Sequence, residues 1–154
     1  MASTQDDELA SIERLVADQS TLVLSTSDAD GQPCAAALFY IARPGLELYW
    51  YSSAASLHSA NLHRDPRASV AVSHPTSLWN EIRGVQMRGI ATPVEDRTVR
   101  RRVAATYRQR FKLPAALRLL MARTILYAFR PSWVRYIDNT RGFGFRFETS
   151  LPHR

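Results

Sequence analysis

The run IRGVQMRGIATPV at residues 82–94 constrains the chain more than any other segment. It is β-rich and long enough to cross a small barrel, with Gly84 and Gly89 standing where a strand would bend. Apolar side chains would bury better at both positions. Either the glycines mark the bends of an ordinary barrel strand, or a ligand needs backbone at close range and Gln86 to read it.

A strand of that length needs neighbours, and the flanking sequence supplies them. TLVLSTSDADGQPCAAALFYIA reads as two strands around a tight turn at residues 28–31, with Asp30 and Gly31 as candidate φ > 0 positions. RPG makes a second turn into LELYWYSS, so three strands follow one another as a meander. RASVAVSH alternates cleanly. PSWVRYIDNTRGFGFRFE makes two late strands joined by DNTRG.

Helices separate these runs. STQDDELASIERLVAD offers Ser3 or Thr4 as a cap, acids in the first turn and Leu9, Ile12, Leu15 and Val16 on one face. SSAASLHSANLHRDP reads as a short helix from near Ser53 to Asp65, halted because the residue before Pro66 is pushed out of helical geometry. Residues 96–127 read as helical with a break around Pro114, the second half apolar enough to pack on a barrel or another subunit. The fold class is therefore α+β, a small barrel of six to seven mostly antiparallel strands with flanking helices. At 154 residues, 45% hydrophobic and 22% charged, the chain is expected to form one domain over residues 1–154.

The single Cys34 excludes an internal disulfide, and no apolar run reaches a membrane span of roughly 18 residues. A cytoplasmic protein with no membrane partner is the expectation. The net charge is +6, almost all of it arginine, Lys112 being the only lysine. RTVRRRVAATYRQRFK places Val99, Val103 and Tyr107 at helical intervals, leaving arginines on the other faces. No stacking platform, zinc-finger spacing or helix-turn-helix accompanies them, so a solvated face is preferred to a nucleic-acid surface.

Phosphate-binding loops, dinucleotide fingerprints, nucleophile elbows and paired-histidine zinc helices are all missing from the sequence. Chemistry would then be borrowed from a cofactor that the fold holds. His58, His63 and His74 are the interior histidines, His153 lying near the end. His58 and His63 do not share a helix face, which disfavours a metal. His58 stands beside Ser52, Ser53 and Ser56 at a helix start, where hydroxyls, backbone donors and an imidazole favour an anion. Capping serines with a surface histidine are the competing reading.

LVLSTSDADGQPCAAALFYI, LELYWYSSAASLHSANLHRDPRASVAVS and IRGVQMRGIATPVED, in that order, resemble the pyridoxamine 5′-phosphate oxidase-like split barrels, which are flavin-binding homodimers. IRGVQMRG, YRQRF and RYIDNTRGFGFR are closer still to a small bacterial branch of that superfamily. The resemblance covers residues 20–147 and implies flavin mononucleotide (FMN) held between two subunits, with a small-molecule substrate reduced or oxidised. It implies that the ring edge meets the backbone of Ala35, Ala36, Ala37 and Leu38. The phosphate would meet Ser52, Ser53, Ser56, His58 and Asn61. Gln86 would face the cofactor, since an amide both donates and accepts, and Trp133 and Arg135 would approach the partner's ligand, packing and surface charge being the alternative. Many relatives carry an arginine and a lysine in the phosphate segment where this chain has Ala54 and His58; Arg64 or Arg67 is the candidate replacement charge. The same departure motivates a second expectation, a barrel that has exchanged flavin for another ligand such as haem, or for a protein partner.

Overall fold

The computed structural model describes residues 4–152. Helix α1 (Gln5–Asp18) opens on Thr4, whose hydroxyl accepts from the Asp7 amide while the Asp7 carboxylate accepts from the Thr4 amide, satisfying two otherwise orphaned donors. The alternative cap, Ser3, lies outside the described residues, as does His153. Ile12, Leu15 and Val16 bury one face of α1 in the core.

Strands β1 (Thr21–Ser27) and β2 (Pro33–Phe39) form the first hairpin. The Asp28 carboxylate accepts from the amides of Asp30 and Gln32, and Gly31 alone takes positive φ, at 81°. Asp30 does not share it, because the Asp28 side chain already organises the turn. Tyr40 then redirects the chain. Its amide donates to the Ser20 carbonyl and its buried hydroxyl to the Val16 carbonyl, so β3 (Ile41–Arg43) leaves the first hairpin and pairs with β4 (Glu47–Ser52).

The expected meander is therefore broken. β4 pairs with β7 (Ile125–Asp138), not with β2, and the sheet order is β2-β1-β5-β6-β7-β4-β3, with β8 (Arg146–Ser150) also on β7. β5 (Arg67–Ser73) and β6 (Arg83–Pro93) complete a curled antiparallel half-barrel. Helix α2 (Leu57–Arg64) packs inside one end, where Leu62 joins Val85 and Met87 in the main core. Helices α3 (Arg97–Phe111) and α4 (Ala115–Met121) lie outside, with Val103 and Tyr107 packed against Tyr49, Leu126 and Ala128.

ILYAF, read from the sequence as helix, begins β7. Alternate residues of a strand face opposite sides, yet Leu126, Tyr127, Ala128 and Phe129 are all buried, because α3 covers one face of this segment and the barrel core the other. A continuous apolar run does not distinguish that arrangement from a buried helix.

β7 serves both sides of the split. Its first half pairs with β4 and its second half with β8, and β6 follows it throughout. The turn between the halves coincides with a register shift at Arg88/Gly89 of β6. A Cβ on Gly89 would sit 2.1 Å from the Arg130 carbonyl oxygen, so the glycine is required here because β6 and β7 approach too closely for any side chain. A Cβ on Gly84 would meet the Val72 carbonyl oxygen at 3.4 Å, and no comparable demand exists there.

Candidate functional site

At the end of β4 the strand alternation sends Tyr51 outward and Ser52 inward, toward α2. Ser56 caps α2 by accepting from the Ser59 amide, and its hydroxyl donates to the Ser53 carbonyl. His58 Nε2 lies 2.7 Å from Ser52 Oγ and 3.1 Å from Ser56 Oγ. Ser52, Ser53, Ser56 and His58 thus meet in one corner. Asn61 is one helical turn on and points inward, its amide donating to the buried Thr26 hydroxyl and so fastening α2 to β1.

Burial lowers the His58 pKa below its ordinary value of 6.5, which leaves the imidazole neutral at pH 7. The replacement cations are committed elsewhere. Arg64 donates to the Ser27 carbonyl, and Arg67 forms an ion pair with Asp65 at 2.7 Å, holding that carboxyl down at about 2. Arg67 is therefore matched by a carboxylate, whereas Arg64 keeps its charge but is held at the end of β1. The corner offers hydroxyls, a neutral imidazole and backbone.

Beside it runs β2. Among the described residues this strand pairs only with β1, so the outer backbone edge of Ala35, Ala36, Ala37 and Leu38 has no strand partner there, and α2 packs close to it. Ala35 and Ala37 are exposed on the outer face of the sheet, while Leu38 packs on the core.

Gln86, Trp133 and Arg135 belong to that outer face too. Across the strands a single row runs Ala37, Val23, Ala71, Gln86, Arg135, Glu148, and the next runs Ala35, Ser25, Ser69, Arg88, Trp133, Ser150. Arg135 pairs with Glu148 at 2.8 Å, and two guanidiniums lie over the Trp133 ring, Arg88 at 4.0 Å and Arg135 at 5.1 Å. Gln86 is exposed, whereas α2 meets β6 on the opposite face through Leu62. One chain thus splits the predicted residues into two groups, on opposite faces of the same sheet.

Arg88 is a site candidate that sequence reasoning passed over. Its signal was available, since a strand repeats its faces every second residue and Arg88 stands two after Gln86. A cleft of about 1170 Å³ was not foreseen either: it opens at the bend of β6 and β7, and of the candidate binding residues only Gly89 and Arg67 line it. Its charges are mostly matched, Arg67 with Asp65 and Arg130 with Glu47 at 2.9 Å, and Glu13 accepts from the Gly45 amide. Among the described residues no group of three or more His, Cys, Asp or Glu side chains converges on a metal position, and no helix is long and apolar enough to cross a membrane.

The family model described as pyridoxamine 5′-phosphate oxidase matches residues 9–138. The chain belongs to the pyridoxamine 5′-phosphate oxidase family. Solved structures of similar fold include a conserved hypothetical protein from Mycobacterium tuberculosis, 24% identical with a TM-score of 0.77, covering 100% of this chain and 92% of that one. A heme binding protein from Mycobacterium smegmatis is 24% identical, with a TM-score of 0.71 over 92% of this chain and 57% of that one. The heme storage protein HutZ from Vibrio cholerae is 19% identical, with a TM-score of 0.67 over 79% and 88%. At these identities the likeness is one of fold. No curated protein matches the chain. The same fold thus serves proteins named for haem, and the corner at α2 has to be judged on its own chemistry.

Proposed function

We propose that this family member binds flavin mononucleotide between two copies of the chain and acts as an oxidoreductase on a small-molecule substrate. The observation that carries the reading is the unpaired edge of β2 beside the serine and histidine corner of α2. A free strand edge presents N–H and C=O groups in alternation, the donors and acceptors that the pyrimidine edge of a flavin requires. Ser52, Ser53, Ser56 and His58 would hold the phosphate, with hydroxyl and backbone donors in place of permanent cations. Gln86, Trp133 and Arg135 lie on the other face of the same sheet and would complete the site from a second copy. When bound, the isoalloxazine supplies the electron chemistry. The chain's own residues bind, orient and shield: Ser52 fixes the His58 ring, and Trp133 offers a flat apolar wall with two guanidiniums against it.

Titration of the purified protein with flavin mononucleotide, followed by flavin absorption and fluorescence, tests the reading together with sedimentation analysis. Saturable binding to a dimer, weakened by Ser52→Ala and by Gln86→Ala, is expected. Colourless protein that takes up no added flavin, or a strict monomer that binds it, overturns the proposal.

One observation favours a second reading. A half-buried imidazole kept neutral is the form that ligates haem iron, and similar folds carry haem-binding names. Under this reading hemin gives a Soret shift that His58→Ala abolishes, and flavin gives none.

A further inference from the structure

The arginine-rich helix is not absorbed by the flavin reading. Neither α3 nor α4 contains an aspartate or glutamate, and the Asp96 carboxylate at the start of α3 accepts from the amides of Thr98 and Val99. Between the two helices and β4 lies a pocket of about 290 Å³, lined by Tyr51, Arg100, Arg101, Arg108, Arg118 and Met121. At roughly 100° per residue, Arg100, Arg101 and Arg108 share one stripe of α3, and Arg118 faces them from α4. Arg100 donates to the Val94 carbonyl, and among the described residues Arg101, Arg108 and Arg118 have no carboxylate partner.

Arg101, Arg108 and Arg118 are exposed and Arg100 half-buried where they line this pocket, and four like charges there repel one another in the absence of an anion. Contrast the large cleft, where each arginine but Arg88 has its carboxylate. Tyr51 forms the floor, its ring edge-on to Tyr107 at 5.1 Å and its phenol shielded from bulk water, so an ion inside would sit against a wall of low dielectric. Planar guanidiniums match phosphate oxygens two at a time.

We infer that the pocket between α3, α4 and Tyr51 is an anion site for a phosphate- or diphosphate-bearing small molecule, separate from the flavin corner. Tyr51 and Ser52 are adjacent in β4 and point to opposite faces, so the two sites back onto one strand without sharing a side chain.

Isothermal titration of the whole protein with inorganic pyrophosphate tests this, whether or not flavin binds. The comparison is between Arg101→Gln/Arg118→Gln and a charge-matched control, Arg102→Gln/Arg146→Gln, whose arginines lie outside the pocket. Saturable binding that falls at least about tenfold in the pocket pair, and by less than about twofold in the control, is expected. Sedimentation with phosphatidylglycerol vesicles shows whether the same phosphate is presented by a lipid headgroup: retention that the pocket pair loses and the control keeps assigns that source. Absence of pyrophosphate and vesicle binding, or equal weakening in both pairs, overturns the inference. So does a single-stranded oligonucleotide that binds far more tightly than pyrophosphate and engages Arg102 equally.

Discussion

Gly89→Ala separates backbone geometry from ligand recognition in β6. The added Cβ would stand 2.1 Å from the Arg130 carbonyl oxygen and 2.8 Å from both the Arg130 carbonyl carbon and Pro131 Cα. All three atoms are main chain, so no rotamer change relieves the clash; β6 and β7 must part by more than about an ångström, loosening the pairs on either side of the bulge. Overpacking of a rigid interior costs about 1–3 kcal/mol, and with ladder hydrogen bonds worth about 1 kcal/mol each also at risk, about 3 kcal/mol is expected. For a chain of this size that is a fall in Tm of roughly 6–12 °C. Gly84→Ala is the control. Its Cβ meets its nearest neighbour at 3.4 Å, and the stiffer unfolded chain contributes about 0.4–1 kcal/mol of stability. Far-UV circular dichroism melts at one fixed protein concentration, without added ligand, give both values. Should Gly89→Ala melt within a degree or two of wild type and lose flavin binding instead, the steric argument fails and the ligand reading of this glycine takes its place.

Other consequences follow from charges. Because burial depresses the His58 pKa, the unfolded chain binds that proton more readily; stability is present above pH 6.5 and declines as pH falls from there toward the lowered folded value, and His58→Gln removes this slope in urea titrations. A bound phosphate reverses the balance at the same ring, so flavin affinity rises as pH falls and His58→Gln flattens that profile too. Burial pushes the Asp138 carboxyl up, but hydrogen bonds from Thr140 and Tyr136 and the charge of Arg83 outweigh it, leaving the pKa below 3.8. Its stabilisation is therefore present above the ordinary carboxylate range and lost as pH drops through the lowered folded value, so Asp138→Asn has the shallower acid limb in a pH-melt series. Arg141 reaches the buried Glu8 with two bonds, 2.7 and 2.9 Å, from a position about one-third exposed. Arg141→Ala is expected to cost about 2 kcal/mol in urea unfolding, between the surface and buried limits for ion pairs.

Local chemistry made much of the fold legible. Thr4 with the acids that follow it, and Gly31 in the turn at residues 28–31, announce themselves within a few residues, because caps and turns are satisfied by near neighbours, whereas the start of α2, read near Ser53, falls at Leu57 behind the Ser56 cap. Val70 and Val72, Val85 and Met87 show their buried face by alternation alone. The serines and His58 converge for the same reason: they lie on one short segment and the strand end that feeds it.

Pairing across the chain was beyond local signals. That β4 takes β7 as its neighbour, that β2 keeps a bare edge, and that ILYAF is a strand beneath α3 depend on which distant segments compete for one set of backbone groups. The tertiary structure also decided which arginines are free. Arg67 and Arg130 found carboxylates, Arg64 a carbonyl, and Arg101 and Arg118 a pocket, because the distance from a charge to its partner is set by the folded path and not by spacing along the sequence. In the same way the sequence determined that Gln86 and Arg88 share a face with each other, while only the curl of the sheet decided that this face turns away from His58.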